Sequence, residues 1–341
     1  MAQPSPPRAP TAAQIAAVAG VSRPTVSRIL NGDDARYSEA TRSRVLEAAA
    51  SLGYRPNALA RAMRTGRTGI VGLILGTEET RSHIAGRMLT ALHDALAAHK
   101  LRLMICTLPD ASLESPDLVP HLLEEVCVDG LVINYTHRVP AALPVHLAQA
   151  NLPTVWLNVA DQTPNVCPDD HLAGKLATQQ LIDRGHQNIG WVCSIGPVHY
   201  SVGGRRDGYL EAMRAAGLKP SLWEASSGTL TNKQRRSWIT DVAKAGLSAA
   251  VCYGDIDTYA LHIATERRGL DVPRDLSLVS FGDEPPKASG VTVSTMVTPL
   301  EDMAQRAVDH LLARMADEHT AAITERVAFT WVSGESVVDR R

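Results

Sequence analysis

The 341-residue sequence lacks any long hydrophobic run, although 45% of its residues are hydrophobic. A helix needs about 18 or more consecutive apolar residues to cross a bilayer, and no segment approaches that length. The N-terminal stretch MAQPSPPRAP is rich in proline and lacks the apolar core of a secretory signal. These absences argue against a membrane or secreted protein, and we expect the chain to act in the cytoplasm.

Cysteine is scarce and the common catalytic motifs are missing. The five cysteines are odd in number and scattered among apolar residues, which favours reduced core thiols over disulfides or a zinc site. There is no G-x-x-x-x-G-K-[ST] loop, no H-E-x-x-H and no G-x-S-x-G, and GGRRDG at 203–208 lacks the glycine spacing of a dinucleotide site. We therefore expect no cofactor, no metal and no catalytic residue.

Lysine is absent from the first 68 residues, where ten arginines accompany four acidic residues. That segment carries a net charge of +6, whereas the rest of the chain, with 24 basic and 32 acidic side chains, carries −8. A basic head on an acidic body is typical of a polyanion-binding module joined to a separate domain. Charge alone does not identify the polyanion as DNA.

The segment from Thr11 to Asn31 has the pattern of two short helices joined by a tight turn. Thr11 and Ser22 are suited to cap the helices, Gly20 to form the turn, and Pro24 to occupy the first turn of the second helix. Helical spacing predicts an apolar inner face made of Ile15, Val18, Ala19, Val26, Ile29 and Leu30. The polar residues left outside, suited to base edges and phosphates, are Arg23, Thr25, Ser27 and Arg28. An ordinary helical hairpin with a solvated face is the alternative.

A third helix is predicted after the loop NGDDARY, with Ser38 as its cap and Gly53 at its end. Its predicted buried stripe is Val45, Leu46, Ala49 and Leu52. The next segment, RPNALARAMRTGRTG, interleaves arginines with apolar residues after Pro56. A helix of about seven residues is marginal in isolation, so we expect this one to form only when something packs against it.

The motifs AGVSRPTVSRILNG and SEATRSRVLEAAASLGYRPNALARAMRTGRT, followed by the strand-like GIVGLIL, resemble the head and hinge of the LacI/GalR (lactose/galactose repressor) family of bacterial transcription regulators. The resemblance continues to the C-terminus. It implies an all-α helix-turn-helix DNA-binding head and an α/β periplasmic-binding-protein-like (type I) effector domain of two doubly wound parallel-sheet subdomains. The expected divisions are a disordered tail over 1–10, the helix-turn-helix domain over 11–55, a hinge helix or linker over 56–68, and an effector-binding and dimerisation domain over 69–341.

By that resemblance the second helix lies in the major groove of an operator half-site, with Arg23, Pro24 and Arg28 at the base-reading positions. Pro24 offers no polar group, so the two arginines should carry the hydrogen-bond readout, most naturally to guanine. A hinge helix over 57–63 would enter the minor groove, with Met63 in place of the leucine that the family wedges between bases. Packing of Met63 on its own domain is the alternative. The expected DNA-binding residues are Thr11, Ser22, Arg23, Pro24, Thr25, Ser27, Arg28, Asn31, Tyr54, Asn57, Ala60, Arg61, Met63 and Arg64.

From residue 69 onward, apolar runs alternate with helical patterns. Strand-like runs occur at 70–75, 101–106, 130–134, 154–158, 188–193, 249–253 and 276–281. Such runs indicate parallel sheets covered on both faces. The resemblance divides them between subdomain N, about 69–160 and 296–324, and subdomain C, about 161–295 and 325–341. The crossovers between these subdomains are expected near 159–163, 293–298 and 322–327.

A ligand of an open α/β sheet binds outside the carboxyl ends of the strands, and two facing sheets enclose a cleft. Residues after the predicted strands are therefore effector candidates, although a solvated turn or a helix cap is the alternative for each. Arg205 stands three residues before Gly208 and resembles the arginine of the family's R-x-x-G segment, which contacts effector hydroxyls or carboxylates. Asp170 is expected to be a helix cap rather than a ligand. The expected effector-binding residues are Thr77, Tyr135, Asn158, Tyr200, Arg205, Tyr253, Asp255 and Asp283.

Three positions depart from the family's sugar-binding pattern. Gly254 and Gly282 replace side chains that commonly bind sugar hydroxyls, and Asn158 stands where sugar-responsive members frequently have Asp. The effector is therefore left open among sugars, polyols and nucleoside-like molecules.

The implied mechanism is a ligand-switched repressor. A homodimer without a coiled-coil tail would place two heads on a pseudo-palindromic operator. Effector and DNA affinities would then be reciprocally coupled, typically by about 1–3 kcal/mol. Two alternatives remain: a two-lobed small-molecule-binding protein without a transcriptional role, and a small-molecule enzyme with an accessory head. For an enzyme, Asp283 with His199 is the best acid–base pair that the sequence offers.

Overall fold

The computed structural model describes residues 10–30, 34–54, 66–77, 82–108, 128–159, 161–196, 199–225, 230–317 and 319–340. They belong to two compact units that divide between Thr68 and Gly69. The predicted hinge helix lies outside the described residues, as do six expected DNA contacts: Asn31, Asn57, Ala60, Arg61, Met63 and Arg64. None of the described helices is long and apolar enough to cross a membrane.

Among its described residues, the first unit contains three helices, α1 (Ala12–Ala19), α2 (Arg23–Leu30) and α3 (Glu39–Ser51). Thr11 and Gln14 form a capping box, in which each side chain accepts a hydrogen bond from the other residue's amide. Gly20 follows α1 with a φ of 64°, a left-handed conformation that favours glycine. Ser22 Oγ accepts from the Thr25 amide at 3.3 Å and so satisfies a free donor at the start of α2.

The core of this unit differs from the predicted one at two positions. Val18 and Leu46 were expected inside, but they are 60% and 53% exposed. Small side chains fill the contacts between the helices instead, so the buried faces of α1 and α3 are rotated from those that the large apolar residues suggest. The buried members are Ile15, Ala16, Ala19, Val26, Ile29, Val45, Ala48 and Ala49.

The second unit contains fourteen strands among its described residues. They are β1 (Ile70–Gly76), β2 (Arg102–Leu108), β3 (Gly130–Asn134), β4 (Thr154–Leu157), β5 (Asn165–Pro168), β6 (Ile189–Cys193), β7 (Ser221–Glu224), β8 (Ala249–Cys252), β9 (Ser277–Gly282), β10 (Lys287–Ala288), β11 (Val291–Thr292), β12 (Ser294–Val297), β13 (Thr324–Val327) and β14 (Thr330–Val332). One six-stranded sheet has the order β13-β5-β4-β3-β1-β2, the other the order β14-β12-β9-β8-β6-β7, and β10 and β11 form a separate pair.

Helices cover both faces of each large sheet. They are α4 (Gly86–Ala98), α5 (Ala142–Gln149), α6 (Asp170–Asp183), α7 (Tyr200–Ala215), α8 (Asn232–Lys244), α9 (Asp255–Glu266) and α10 (Leu300–Ala316). α4, α5 and α10 pack on the first sheet, and α6 to α9 pack on the second. The result is two doubly wound subdomains, which confirms the predicted fold class. We call the one that contains β1 the first subdomain and the one that contains β6 the second subdomain.

The chain passes between the subdomains three times, and two of these crossovers correct the predicted boundaries. β5 still belongs to the first sheet, so the first crossover follows Pro168 instead of lying at 159–163. The third lies between β13 and β14, after the predicted 322–327. The second, between Val297 and Leu300, is at the end of the predicted range. β5 and β13 have only four residues each, and the pairing of β5 with β4 and of β13 with β5, not their own pattern, assigns them to the first sheet.

Candidate ligand site and nucleic-acid interface

A cavity of about 250 Å³ lies between the two subdomains, at the carboxyl ends of their strands. Four of the expected effector residues line it: Asn158, Arg205, Tyr253 and Asp283. Each follows a strand or stands near the start of a helix, as expected for an open α/β sheet. Apolar residues of the first subdomain complete the wall, among them Ile84, Met88, Leu300 and Met303.

The other four expected effector residues do not line this cavity. Thr77 is exposed at the end of β1, and Tyr200 lines a second cavity, of about 650 Å³, that shares His199 with the first. Asp255 accepts a hydrogen bond from Ser280 Oγ at 3.2 Å. Tyr135 is fully buried in the core of the first subdomain.

The position of Tyr135 has a simple geometric cause. Successive side chains of extended backbone point to opposite sides, so the two neighbours of a buried residue face the other way. Asn134 and Thr136, on either side of Tyr135, both line the cavity. Tyr135 therefore stands in a segment that reaches the cavity, but its own side chain points into the core.

Arg205 is held in place by hydrogen bonds and by aromatic rings. Its Nε donates to Asp170 Oδ1 at 2.7 Å, and its Nη1 donates to the Tyr253 carbonyl at 3.0 Å. The guanidinium lies 4.9 Å from the centre of the Tyr253 ring and 4.6 Å from that of Phe281, within the range of cation–π attraction. Burial raises the pKa of Asp170, and the charge of Arg205 opposes that rise. These contacts fix a cation on the wall of the cavity.

Arg205 reaches this position because α6 and α7 pack very closely. A Cβ added to Gly174 of α6 would lie 2.0 Å from the Arg205 carbonyl oxygen. A Cβ added to Gly208 of α7 would lie 2.1 Å from the His171 carbonyl oxygen. Both distances are far below van der Waals contact, so only glycine fits. The glycine of the R-x-x-G segment therefore allows the helix contact from which Arg205 projects.

Two residues that line the cavity carry buried oxygens without a hydrogen-bond partner among the described residues. They are Asn134 Oδ1 and Asp170 Oδ2. A buried acceptor left unpaired costs about 1–3 kcal/mol, so both oxygens favour a ligand that brings hydrogen-bond donors.

Asp170 was predicted to cap a helix, and this prediction was wrong. Its neighbour Asp169 is the cap of α6, because Asp169 Oδ1 accepts from the Leu172 amide at 3.0 Å. Two adjacent aspartates stand at the start of the helix, Asp169 before it and Asp170 as its first residue, and the sequence gives no signal of which one caps. The close contact between α6 and α7 turns Asp170 toward Arg205, and that contact is visible only in the folded structure.

His199 lines the same cavity and also caps α7. Its Nδ1 accepts from the Ser201 amide at 3.2 Å. Burial, together with the charge of Arg205, lowers the pKa of His199 to about 3. The imidazole is therefore neutral near pH 7.

Hydrogen bonds between described residues join the subdomains across the cleft. Tyr200 Oη, at the start of α7, donates to Asn158 Oδ1, after β4, at 2.7 Å. Arg87 Nη1 of α4 donates to the Asp283 carbonyl, after β9, at 2.5 Å. Burial raises the pKa of Tyr200, so its hydroxyl remains a donor. The relative position of the two subdomains is thus tied to side chains beside the cavity.

In the first unit, α2 exposes the residues that were expected to read DNA. Arg23, Pro24 and Arg28 are exposed, whereas Val26 and Ile29 face the core. The other expected contacts in the described part of the head are the exposed Thr11 and Ser22 and the half-buried Thr25, Ser27 and Tyr54. Thr11 and Ser22 also cap α1 and α2, so their side chains have a structural role.

Comparisons with known proteins agree with this architecture. The family profile for bacterial regulatory proteins of the lacI family matches residues 11–57, and the profile for the periplasmic binding protein-like domain matches residues 178–337. The HTH-type transcriptional regulator CelR of Thermobifida fusca is 30% identical over 329 residues, covering 93% of this chain and 95% of CelR. The chain belongs to the lacI family.

Solved structures extend the match of this lacI-family member to the fold. The lac repressor dimer bound to operator and the anti-inducer ONPF has a TM-score of 0.77 at 23% identity, covering 97% of this chain and all 100% of that one. A complex of the transcriptional regulator CelR with cellobiose has a TM-score of 0.64 at 26% identity, covering 96% of this chain and 99% of CelR. The lacI-family chain is therefore a DNA-binding transcriptional regulator with a periplasmic-binding-protein-like domain.

Proposed function

We propose that this regulator is a repressor that reads its operator through α2, with one such helix in the major groove of each half-site. Arg23 and Arg28 are exposed on α2, and the fork of an arginine matches O6 and N7 of guanine. Pro24, next to Arg23 in the sequence, has no polar side-chain atom, so it can contribute to operator recognition only through the fit of its ring. The hinge contacts, with Met63 as a minor-groove wedge, are part of the same proposal and rest on the family resemblance.

We propose that the effector is an uncharged molecule rich in hydroxyl groups, and a sugar fits this description. The observation that carries the proposal is the pair of unpartnered acceptors, Asn134 Oδ1 and Asp170 Oδ2, on the wall that also holds Arg205. A hydroxyl group both donates and accepts, so it can satisfy such an acceptor while accepting from a nearby donor. The charge of Arg205 is already compensated by Asp170, which makes a carboxylate ligand less favourable. The cellobiose bound to CelR supports the same class.

The coupling between effector and DNA follows from the position of the cavity. A ligand there touches both subdomains beside the Tyr200–Asn158 hydrogen bond, so it has a different affinity for each relative arrangement of the subdomains. Strand β1 begins at Ile70, directly after the segment expected to contain the hinge. A rotation of the subdomains would therefore change the position of the chain that leads to the head.

The dimer contact is proposed to include α9. Its large apolar side chains Ile256, Tyr259 and Ile263 are 58%, 37% and 45% exposed and follow one another at intervals of three and four residues. That spacing places them on one face of the helix. A two-fold axis brings the same face of two copies together, so an apolar stripe of this kind is self-complementary.

An enzymatic function is not part of the proposal. The Asp283–His199 pair would need a histidine that accepts a proton near neutral pH, and a pKa of about 3 makes His199 a poor base. Because operator DNA is in the cytoplasm of a bacterium, the regulator is proposed to act there.

Two measurements on the full-length protein test the effector site. A thermal-shift screen against sugars, polyols and nucleosides should give a ligand that raises the Tm, because a ligand of the folded state stabilises it. The same ligand should change operator affinity, measured by fluorescence anisotropy on genomic fragments.

Arg205→Lys should abolish the effector response while operator affinity without ligand is unchanged, since lysine cannot reproduce the fork of hydrogen bonds. An unchanged response in this variant would remove Arg205 from the site.

A further inference from the structure

A third cavity, of about 580 Å³, lies between α8 and α9 of the second subdomain. Its described lining residues belong to neither of the two cavities above. Two pairs of adjacent arginines line it, Arg235 and Arg236 in α8 and Arg267 and Arg268 directly after α9. No acidic side chain of the described residues accompanies them. The operator and effector proposals give this cavity no role.

The acidic residues of α8 and α9 are directed to other partners. These partners are Lys244 for Asp241, Ser280 for Asp255, Ser194 for Asp257 and Ser289 for Glu266. Within the described part of the chain, none of the four cavity arginines forms an ion pair with a carboxylate. Arg205 and Arg206 of the same subdomain, by contrast, each pair with an aspartate. The third cavity therefore concentrates positive charge without a counter-charge in contact.

The position of Arg235 in α8 adds to this excess. α8 begins at Asn232, after the Thr231 cap, and its first turn contains no acidic residue. The free amides there form the positive end of the helix dipole, where anions are favourable and cations are not. Arg235 Nε is also buried without a hydrogen-bond partner among the described residues. An oxyanion would supply both the missing acceptor and the missing negative charge.

The charge and the lining of the cavity indicate the kind of anion. A phosphate monoester carries about −1.5 to −2 charges near pH 7, so two phosphate groups approach the charge of the four arginines. The fork of an arginine also matches two oxygens of one phosphate. Ile239, Ala260 and Ala264 provide an apolar wall. The volume falls in the range of about 300–1,000 Å³ that is typical of pockets for drug-sized ligands.

We propose that the third cavity binds a small organic molecule that carries two phosphate groups. This site is separate from the effector cavity between the subdomains and does not depend on which effector binds there. Its ligand would act on the regulator through α8 and α9. Ile263, which belongs to the stripe proposed as the dimer contact, also lines the cavity.

Calorimetric titration of the full-length protein with pyrophosphate tests the site, with orthophosphate for comparison. The Kd of pyrophosphate should be lower by about tenfold or more, because two phosphate groups engage more of the arginines. Arg235→Gln combined with Arg267→Gln should raise the Kd of pyrophosphate by about tenfold or more. The protein concentration is kept constant through the series, because the cavity adjoins the proposed dimer contact.

Arg214→Gln combined with Lys219→Gln is the matched control. Both residues are exposed in the same subdomain and line none of the three cavities, so this variant should leave the Kd unchanged. Thermal unfolding gives a second readout, since pyrophosphate should raise the Tm of the wild type and of the control but not that of the cavity variant. Without pyrophosphate the cavity variant should be at least as stable as the wild type, because it loses charges that repel each other.

Three results would overturn the proposal. The first is an absence of pyrophosphate binding at millimolar concentration, and the second is an equal Kd in the wild type and the cavity variant, which would place the anion elsewhere on the protein. The third is a loss of operator affinity by about tenfold in the cavity variant without pyrophosphate, which would make these arginines contacts to DNA phosphates. None of these results affects the effector cavity, which Arg205→Lys tests separately.

Discussion

His199 releases its proton much more easily in the folded protein than in an unfolded chain. Burial and Arg205 lower its pKa to about 3 in the fold, whereas an unfolded histidine titrates near about 6.5. As the pH falls through this window, the unfolded chain binds the proton and the folded chain does not, so stability is lost. Between pH 7 and pH 5, the wild type should lose about 1–2 kcal/mol more than His199→Gln.

Urea denaturation at the two pH values measures this difference. Glutamine retains an acceptor for the Ser201 amide, so the variant keeps the cap of α7. His93→Gln is the control, because the His93 side chain is 65% exposed, and it should follow the wild type. An identical pH dependence in His199→Gln and the wild type would show that His199 is protonated as easily in the fold as outside it.

The exposed side chain of Arg28 on α2 is suited to a bidentate contact with guanine, so its loss should change base recognition. Arg28→Ala should relax discrimination at one base pair of the half-site by about 1–3 kcal/mol. Competition binding with operator variants substituted at each position measures the effect. Arg44→Ala removes the same charge from an exposed position of α3 and should weaken binding to all sequences equally. If Arg28→Ala also weakens binding to all sequences equally, Arg28 contacts only phosphate.

Single residues were the hardest level to predict from sequence. The segments were found, because polar residues follow the strands, but Tyr135 was chosen where its neighbours Asn134 and Thr136 line the cavity. Strand alternation decides such cases, and it needs the exact end of the strand. Asp170 was not expected to line the cavity for another reason. Its partner Arg205 is distant in sequence, and only the packing of two helices brings them together.

The α6–α7 contact is the element on which the site depends. A methyl group at Gly174 would meet the Arg205 backbone at 2.0 Å, so Gly174→Ala must push the two helices apart. Overpacking of this kind typically costs about 1–3 kcal/mol or more, and here it also displaces Arg205. Gly174→Ala should therefore lower the Tm and weaken effector binding together, as differential scanning calorimetry and ligand titration would show.

Gly203→Ala supplies the comparison on the same pair of helices. A Cβ at Gly203 of α7 has nothing within 4 Å, and alanine is favoured over glycine inside a helix by about 1 kcal/mol. This variant should leave the Tm unchanged or raise it. A Tm equal to that of the wild type in Gly174→Ala would mean that the helices can separate without cost.

At the level of elements, strands with a continuous apolar run were predictable and strands without one were not. The apolar runs predicted at 70–75 and 130–134 correspond to β1 and β3, and the capped helices α1 and α3 begin at their predicted caps. β5, β7, β13 and β14 have three or four residues each and include polar residues or proline, so they contain no apolar run. Their places in the sheets come from hydrogen bonds to distant strands, and those bonds also decide where the chain crosses between subdomains.

For the whole molecule, the division of charge fits the proposed dimer. The head is strongly positive and the remainder negative, so each head is attracted to DNA while the body is repelled by it. One three-helix head makes few base contacts, and a second head on the same particle binds at a high effective concentration. Operator affinity should thus depend on the dimer contact even though that contact touches no DNA.

Tyr259→Asp places a charge in the middle of the apolar stripe of α9, which also contains Ile256 and Ile263. If two copies bury this stripe, a buried unpaired carboxylate in each should shift the protein toward monomers. Size-exclusion chromatography with light scattering should show the loss of dimer, and operator affinity should fall by about tenfold or more at concentrations where the wild type is dimeric. Leu222→Asp, at a residue that is 46% exposed on the edge strand β7, should change neither quantity. A Tyr259→Asp protein that remains dimeric would place the two-fold contact on another face of the effector domain.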